Sequence, residues 1–221
     1  MKLDKRLSMV ASLVRPCDII ADIGTDHAYV PVYLIENRIV SRAYAGDVRV
    51  GPLDNAKRTI EEYEMADKIM PILSDGLQSI PHDTNDFIIA GMGGELIARL
   101  LSESRWVEQI GNHFVLQPQT HPEDLRLYLY QNGYEILKES VCQDGHHLYL
   151  AIEAQFTGTT NEISDLSNWE TYIGKLENSP VTLLYLNTII DRLNIKYNAT
   201  KDEEIKQIID KLSEVRDIWQ Q

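Results

Sequence analysis

The chain has 221 residues, 43% of them apolar, enough for one sizeable α/β domain with a small addition, which excludes a disordered tail or linker. Its formal net charge of -13, from 21 basic and 34 acidic residues, argues against broad nucleic-acid affinity and leaves room for a local basic patch only. No segment approaches the roughly 18 apolar residues of a membrane-spanning helix. The two cysteines, Cys17 and Cys142, are too few for a disulfide framework and too isolated for a Cys-ligated zinc site.

The opening "MKLDKRLSMVASLV" is basic and then apolar, but Asp4 and the early return of Arg15 leave no cleavage signature. It predicts an amphipathic helix, and the protein is expected to be cytoplasmic. Strands are predicted at Ile19 to Ile23, Arg42 to Asp47, Ile69 to Leu73, Phe87 to Ala90 and His113 to Leu116. Helices are predicted around 28–36, 52–65, 94–102 and 122–131. This alternation means a mostly parallel sheet covered on both faces. "GYEILKESVC" and "HHLYLAIEAQF", joined by "QDG", predict a closing antiparallel hairpin. By fold analogy such an ending suits a methyltransferase-type Rossmann sheet better than a dehydrogenase one.

The polar stretch "TGTTNE" reads as a linker, dividing the chain into a sheet domain, 1–156, and an all-helical part, 157–221. A helix is predicted from Ile163 to Leu176, with Leu166, Trp169 and Ile173 on its apolar side, ended by Pro180. Leu183, Leu186, Ile190, Leu193 and Tyr197 form one apolar stripe; Ile205, Ile208, Leu212, Val215 and Trp219 form another. With Asn198, Ala199 and Thr200 between them, they predict an antiparallel helical hairpin with coiled-coil-like packing. It is either a stabilising appendage or a surface for a large substrate or partner. The sequence leaves the oligomeric state open, with a monomer as the default.

Ligands of open α/β sheets bind at the carboxyl ends of the strands. Here the first strand delivers Asp22, Gly24, Asp26 and His27, the second Asp47, the third Ser74, Asp75 and Gly76, the fourth "AGMGG", and the fifth Gln117 and Pro118. Asp47 follows Gly24 by 23 residues, where a carboxylate accepts from both ribose hydroxyls. The first loop, "DIGTDHA", lacks the second and third glycines of a dinucleotide fingerprint, and Asp26 would repel a phosphate. Ribose and adenine without phosphate, joined to a zwitterionic amino acid, point to S-adenosylmethionine, with a dinucleotide as the alternative.

In that reading Gly24 lets the cofactor pass close to the backbone, and Asp22 accepts from turn amides or, through water, from the methionyl ammonium. Asp75 accepts from the adenine amino group, with Gly76 giving room for the ring. A strand-end turn without a ligand competes at Asp75 and, less, at Asp47. Gly91 to Gly94, with Met92 as an apolar wall, would line the entry of a flat base; a tight strand-to-helix turn is the plainer reading.

Six blocks occur in order: "DIGTDHAYVPVYL", "AGDVRVGPLDNAK", "LSDGL", "IIAGMGG", "LQP" and "DGHHLY". Through them residues 1–156 resemble the bacterial tRNA (adenine-22-N1)-methyltransferase family. The helical tail resembles that family's only in length and helical character. The resemblance implies a class I methyltransferase fold, S-adenosylmethionine as donor, and transfer to N1 of an adenosine in the D-arm region of tRNA. It matches Gly24, Asp47, Asp75, Gly76 and Gly91 to cofactor-binding blocks, and Asp26, His27 and Met92, Gly93 and Gly94 to blocks bordering the target base. Family members often carry Leu-Gln-Pro-Asn where this chain has Leu116-Gln117-Pro118-Gln119, which puts Gln119 as a target contact in doubt.

N1 of neutral adenine has a lone pair and needs no base, while the ring becomes cationic during transfer. A carboxylate facing it favours the transition state over the ground state. Asp26 is the candidate, with His27 orienting it or the base and Tyr29 offering a ring edge; an N-cap role for Asp26 competes. No metal site is inferred. Lys2, Lys5, Arg6, Arg15, Arg38, Arg42, Arg49, Lys57 and Arg58 are available for the rim, with Lys5 and Arg6 best placed for tRNA phosphates. Two other readings stay open: a cofactor-binding regulatory or interaction protein without catalysis, and an NAD-dependent oxidoreductase.

Overall fold

The computed structural model describes residues 1–160 and 167–221. Seven strands form one sheet: β1 (Cys17–Ile23), β2 (Val40–Asp47), β3 (Ile69–Leu73), β4 (Asp86–Met92), β5 (His113–Pro118), β6 (Tyr134–Asp144) and β7 (His147–Phe156). Their spatial order is β3-β2-β1-β4-β5-β7-β6. β1 to β5 pair in parallel, and β7 runs antiparallel to both β5 and β6, as the Asp144-Gly145 hairpin signal predicts. The strand order reverses between β1 and β4, so their carboxyl ends open a crevice there.

Period-two alternation sorts the strand side chains into two cores. Ile20, Ala43, Ala45, Ile88 and Val115 face helices α1 (Lys5–Ser12), α2 (Tyr29–Glu36) and α3 (Val50–Glu62). Ile23, Phe87, Ile89, Phe114 and Leu116 face α4 (Gly94–Ser102) and α5 (Pro122–Gln131). The same second cluster takes in Leu186, Ile190 and Leu193 of α7 (Pro180–Thr200), and Ile205, Ile208 and Leu212 of α8 (Glu203–Trp219). The helical hairpin therefore shares a core with the sheet.

Three details differ from the sequence reading. The helix expected up to Leu176 is, among the described residues, a single turn, α6 (Glu170–Ile173); Ile163 and Leu166 lie outside them. Pro180 begins α7 instead of ending a helix: its missing N–H costs nothing at the first helical position, and Ser179 Oγ accepts from Thr182 N at 3.1 Å. The hairpin link is shorter than expected, because Asn198 to Thr200 remain helical and the turn is made by Lys201, with φ 56°, and Asp202.

A buried ion pair ties the tail to the sheet. Arg126 of α5 meets Glu139 of β6 through Nε–Oε1 at 2.7 Å and Nη2–Oε2 at 3.3 Å. Arg126 Nη1 also donates to the carbonyls of Thr171, at 2.8 Å, and Tyr172, at 3.1 Å, and Lys175 N donates to Glu139 Oε2 at 2.9 Å. All three guanidinium nitrogens and both carboxylate oxygens are thus engaged, as a desolvated pair requires.

Candidate active site

The crevice at the strand reversal holds a cavity of about 350 Å³. Gly24, Asp47, Ser74, Asp75, Gly76, Gly91 and Met92 line it from four strand ends. Three turns make it open. Gly24, Gly76 and Gly91 have φ of 78°, 56° and 81°, a region L side chains avoid. A Cβ on Gly24 would collide with the Met92 methyl, and one on Gly76 with Leu100. The Gly24 and Thr25 amides both donate to Gly46 O, at 2.8 and 3.0 Å, so the turn amides do not use Asp22.

Asp47 is buried at the end of β2, where its Oδ1 accepts from Arg49 N at 2.8 Å. Asp75 is exposed on the cavity wall, and the turn it sits in is held by Ser74, whose Oγ donates to Gly76 O at 2.8 Å and accepts from Ser79 N at 3.0 Å. The Asp75 carboxylate is left for something other than closing the turn. Asp22 is buried in β1, two residues before Gly24; desolvation raises its carboxyl to about 6, against the opposing influence of a Thr25 hydrogen bond and the Arg6 charge.

Asp26 and His27 sit on the loop between β1 and α2. Asp26 does not cap α2. Ala28 is the N-cap residue, in a left-handed conformation, and Thr25 Oγ1 accepts from its amide at 3.0 Å. Asp26 is instead exposed, 3.4 Å from His27 Nε2 and 3.5 Å from Asn55 Nδ2. The His27 ring stacks on Tyr29 with centroids 4.8 Å apart and planes 7° from parallel. The imidazole is thereby fixed beside the carboxylate.

The residues expected to border the base separate into two groups. Met92 lines the cavity, and Pro118 and Gln119 line a neighbouring groove. Gly94 and Gln117 are support. A Cβ on Gly94 would strike the His121 carbonyl, and Gly94 N donates to Thr120 O at 2.7 Å, so its lack of a side chain serves packing against the loop after β5. Gly93 is half-buried beside Thr120. Gln117 is fully buried, with Oε1 accepting from Gly91 N at 3.2 Å and from Arg6 Nη1 at 3.0 Å.

Arg6 is therefore turned inward over the strand edge, while Lys5 is exposed. Arg15 and Arg42 are not on the rim at all. Arg15 pairs with Asp86, which opens β4, at 2.6 Å, and Arg42 pairs with Asp18, near the start of β1, at 3.0 Å; both lie at the amino ends of the strands. The cavity also takes Leu96, Arg99 and Leu100 from α4. Their spacing after Met92 follows a helical face, the one sequence signal that would have found them.

The crevice fits the expected ligand: a buried carboxylate at the second strand and three open glycine turns around one cavity. Residues 3–152 match the family model described as a methyltransferase domain. The chain belongs to the methyltransferase domain family. This methyltransferase is 36% identical over 156 residues, 70% of its own length and 66% of the relative's, to the tRNA (adenine(22)-N(1))-methyltransferase of Bacillus subtilis. Its fold superposes on Streptococcus pneumoniae Sp1610 in complex with S-adenosyl-L-methionine with a TM-score of 0.84, at 29% identity, covering 96% of this chain and 99% of that one. On M. capricolum TrmK in complex with S-adenosylhomocysteine the TM-score is 0.83, at 28% identity and 99% coverage of both chains. The resemblance carried by the six sequence blocks over residues 1–156 is thus borne out, and the likeness of fold extends over nearly the whole chain, tail included.

Proposed function

We infer that this methyltransferase moves the methyl group of S-adenosylmethionine to N1 of adenosine 22 in the D-arm region of tRNA. The observation that carries the reading is the crevice at the β1/β4 reversal, where Gly24, Asp47, Asp75, Gly76 and Gly91 meet around one cavity. The similarity to proteins solved with this cofactor and its product supports it.

Bound there, S-adenosylmethionine supplies an electrophilic methyl on a sulfonium sulfur. Asp47 accepts from the ribose hydroxyls, Asp75 from the adenine amino group, and Asp22, buried behind the cavity wall, acts on the methionyl ammonium through water. Arg6, whose charge acts on Asp22, complements the methionyl carboxylate and steadies Gly91 through Gln117. The adenosine to be methylated enters over Gly91 and Met92 from the side of Asp26. Its N1 attacks with its own lone pair, so the residues are asked for alignment and charge and not for a base. Asp26 opposes the positive charge that builds on the ring, and the His27–Tyr29 stack keeps Asp26 in place.

Asp26→Asn is expected to lower kcat about tenfold, because an exposed carboxylate works at higher dielectric than a buried one. Its cofactor affinity and melting temperature stay at wild-type values, since Thr25 and not Asp26 holds the helix start. Steady-state methylation with calorimetric cofactor titration checks this; unchanged turnover would remove Asp26 from the chemistry.

A further inference from the structure

Beside the cofactor crevice lies a second concavity of about 420 Å³, between the loop after β5, the start of β7 and the flank of α7. Pro118, Gln119, Tyr149, Tyr185 and Arg192 are among its walls. We propose that this groove holds a nucleotide adjacent to the target adenosine, its base on the Tyr149 ring and its phosphate near Arg192. This inference rests on the tRNA reading above and extends it to the site that grips the RNA once the target base has left its stack.

Four observations place it. The groove adjoins the crevice: Gln119, on its wall, has its amide nitrogen 3.7 Å from where a Cβ on Gly91 would stand, and Gly91 lines the cofactor cavity. An adenosine brought to the crevice thus carries its chain neighbour to the groove. The walls are mixed: half-buried tyrosines, two prolines and polar side chains, the composition that accepts a flat base with a wet edge.

The charge is also local. In a chain of net -13 the groove has Arg192 on its wall, and Arg6 lies over the Tyr149 ring, 5.8 Å from its centroid. Arg192 is oriented by Glu123, 3.0 Å away and mostly buried; this contact tempers its charge without removing it from the surface. Finally, Arg192, Tyr185 and Thr188 belong to α7, so the groove joins the sheet's catalytic edge to the helical tail. A base extruded from a folded RNA leaves its neighbours unstacked, and an aromatic platform next to the target offsets that loss.

The test uses the full-length protein and an unmodified tRNA transcript carrying an adenosine at position 22, at saturating S-adenosylmethionine. Tyr149→Ala is expected to weaken tRNA binding by about tenfold or more at saturating cofactor. Tyr149→Phe restores most of the loss, because the ring face and not the hydroxyl is required. Arg192→Ala weakens binding severalfold and flattens its dependence on salt. If wild type methylates the transcript while Tyr149→Ala binds it equally well, the groove serves something other than RNA and the inference fails alone. If Tyr149→Phe is as weak as Tyr149→Ala, stacking is wrong. If wild type neither binds nor methylates the transcript, the tRNA reading falls and this inference with it.

Discussion

Asp47→Ala is expected to weaken S-adenosylmethionine binding at least tenfold in a calorimetric titration. A buried carboxylate that accepts from two ribose hydroxyls makes charge-assisted hydrogen bonds, each worth about 1.5–3 kcal/mol. Loss of one such bond already gives a tenfold change. The substitution also frees Arg49 N at the start of α3, so Asp47→Asn is the companion variant: its carbonyl can keep that local bond while the charge is gone. Both variants should lose affinity, and only the alanine variant should also lose some thermal stability. The same titration run against pH reports on Asp22. Burial raises that carboxyl from 3.8 to about 6, so the free protein is stabilised by its protonated form below about pH 4 and loses that contribution as pH rises through 6. Binding of an ammonium needs the ionised form, so affinity falls as pH drops through 6. Wild-type affinity in both Asp47 variants would show that the cofactor lies elsewhere.

Glu139→Ala is expected to produce the largest loss of stability, about 3–5 kcal/mol, because it leaves the Arg126 charge buried without its partner. For a chain of this size that is roughly 6–20 °C in melting temperature. The double variant Arg126→Met, Glu139→Leu should recover most of it, since an apolar pair of similar volume avoids the desolvation cost. Thermal unfolding of the three proteins measures both numbers; a single variant within about 1 kcal/mol of wild type would mean the pair is open to water. The same bonds bear on the tail. The Thr171 and Tyr172 carbonyls and the Lys175 amide complete this ion pair, so cutting the chain at residue 156 would strip a buried charge of its ligands. Full-length point variants, not truncation, are the way to ask what the helices bind.

Much of this architecture was legible in the sequence because its signals are local. Apolar alternation in strands such as Phe87 to Ile89, glycine turns such as Gly76, and the Asp144-Gly145 hairpin each depend on neighbours in the chain. Asp47 was legible for the same reason, as a carboxylate at the tip of a strand at a fixed distance from the first turn. What was not legible depends on contacts between distant segments. Arg6 looks like a surface cation on an amphipathic helix, and only the packing of α1 brings its guanidinium to Gln117, 111 residues away. Asp26 matches the pattern of a helix cap, yet Thr25, one position earlier, accepts the helix-start amide. Gly94 reads as ligand-facing until the loop at His121 is seen to cover it. The one-turn α6 and the Pro180 start of α7 escaped because Trp169, Ile173 and Leu176 are apolar at helical spacing but pack into the shared core from a largely irregular segment. Tyr149, from a strand, and Arg192, from a helix, carry no shared sequence pattern at all.

Methyl transfer to adenosine 22 is tested most directly by incubation of the full-length protein with labelled S-adenosylmethionine and unmodified bacterial tRNA, digestion to nucleosides, and mapping of the labelled position. The expected result is label in 1-methyladenosine, located at position 22 and lost when that adenosine is replaced by guanosine. Label in a different nucleoside, or 1-methyladenosine that persists after the replacement, would contradict it.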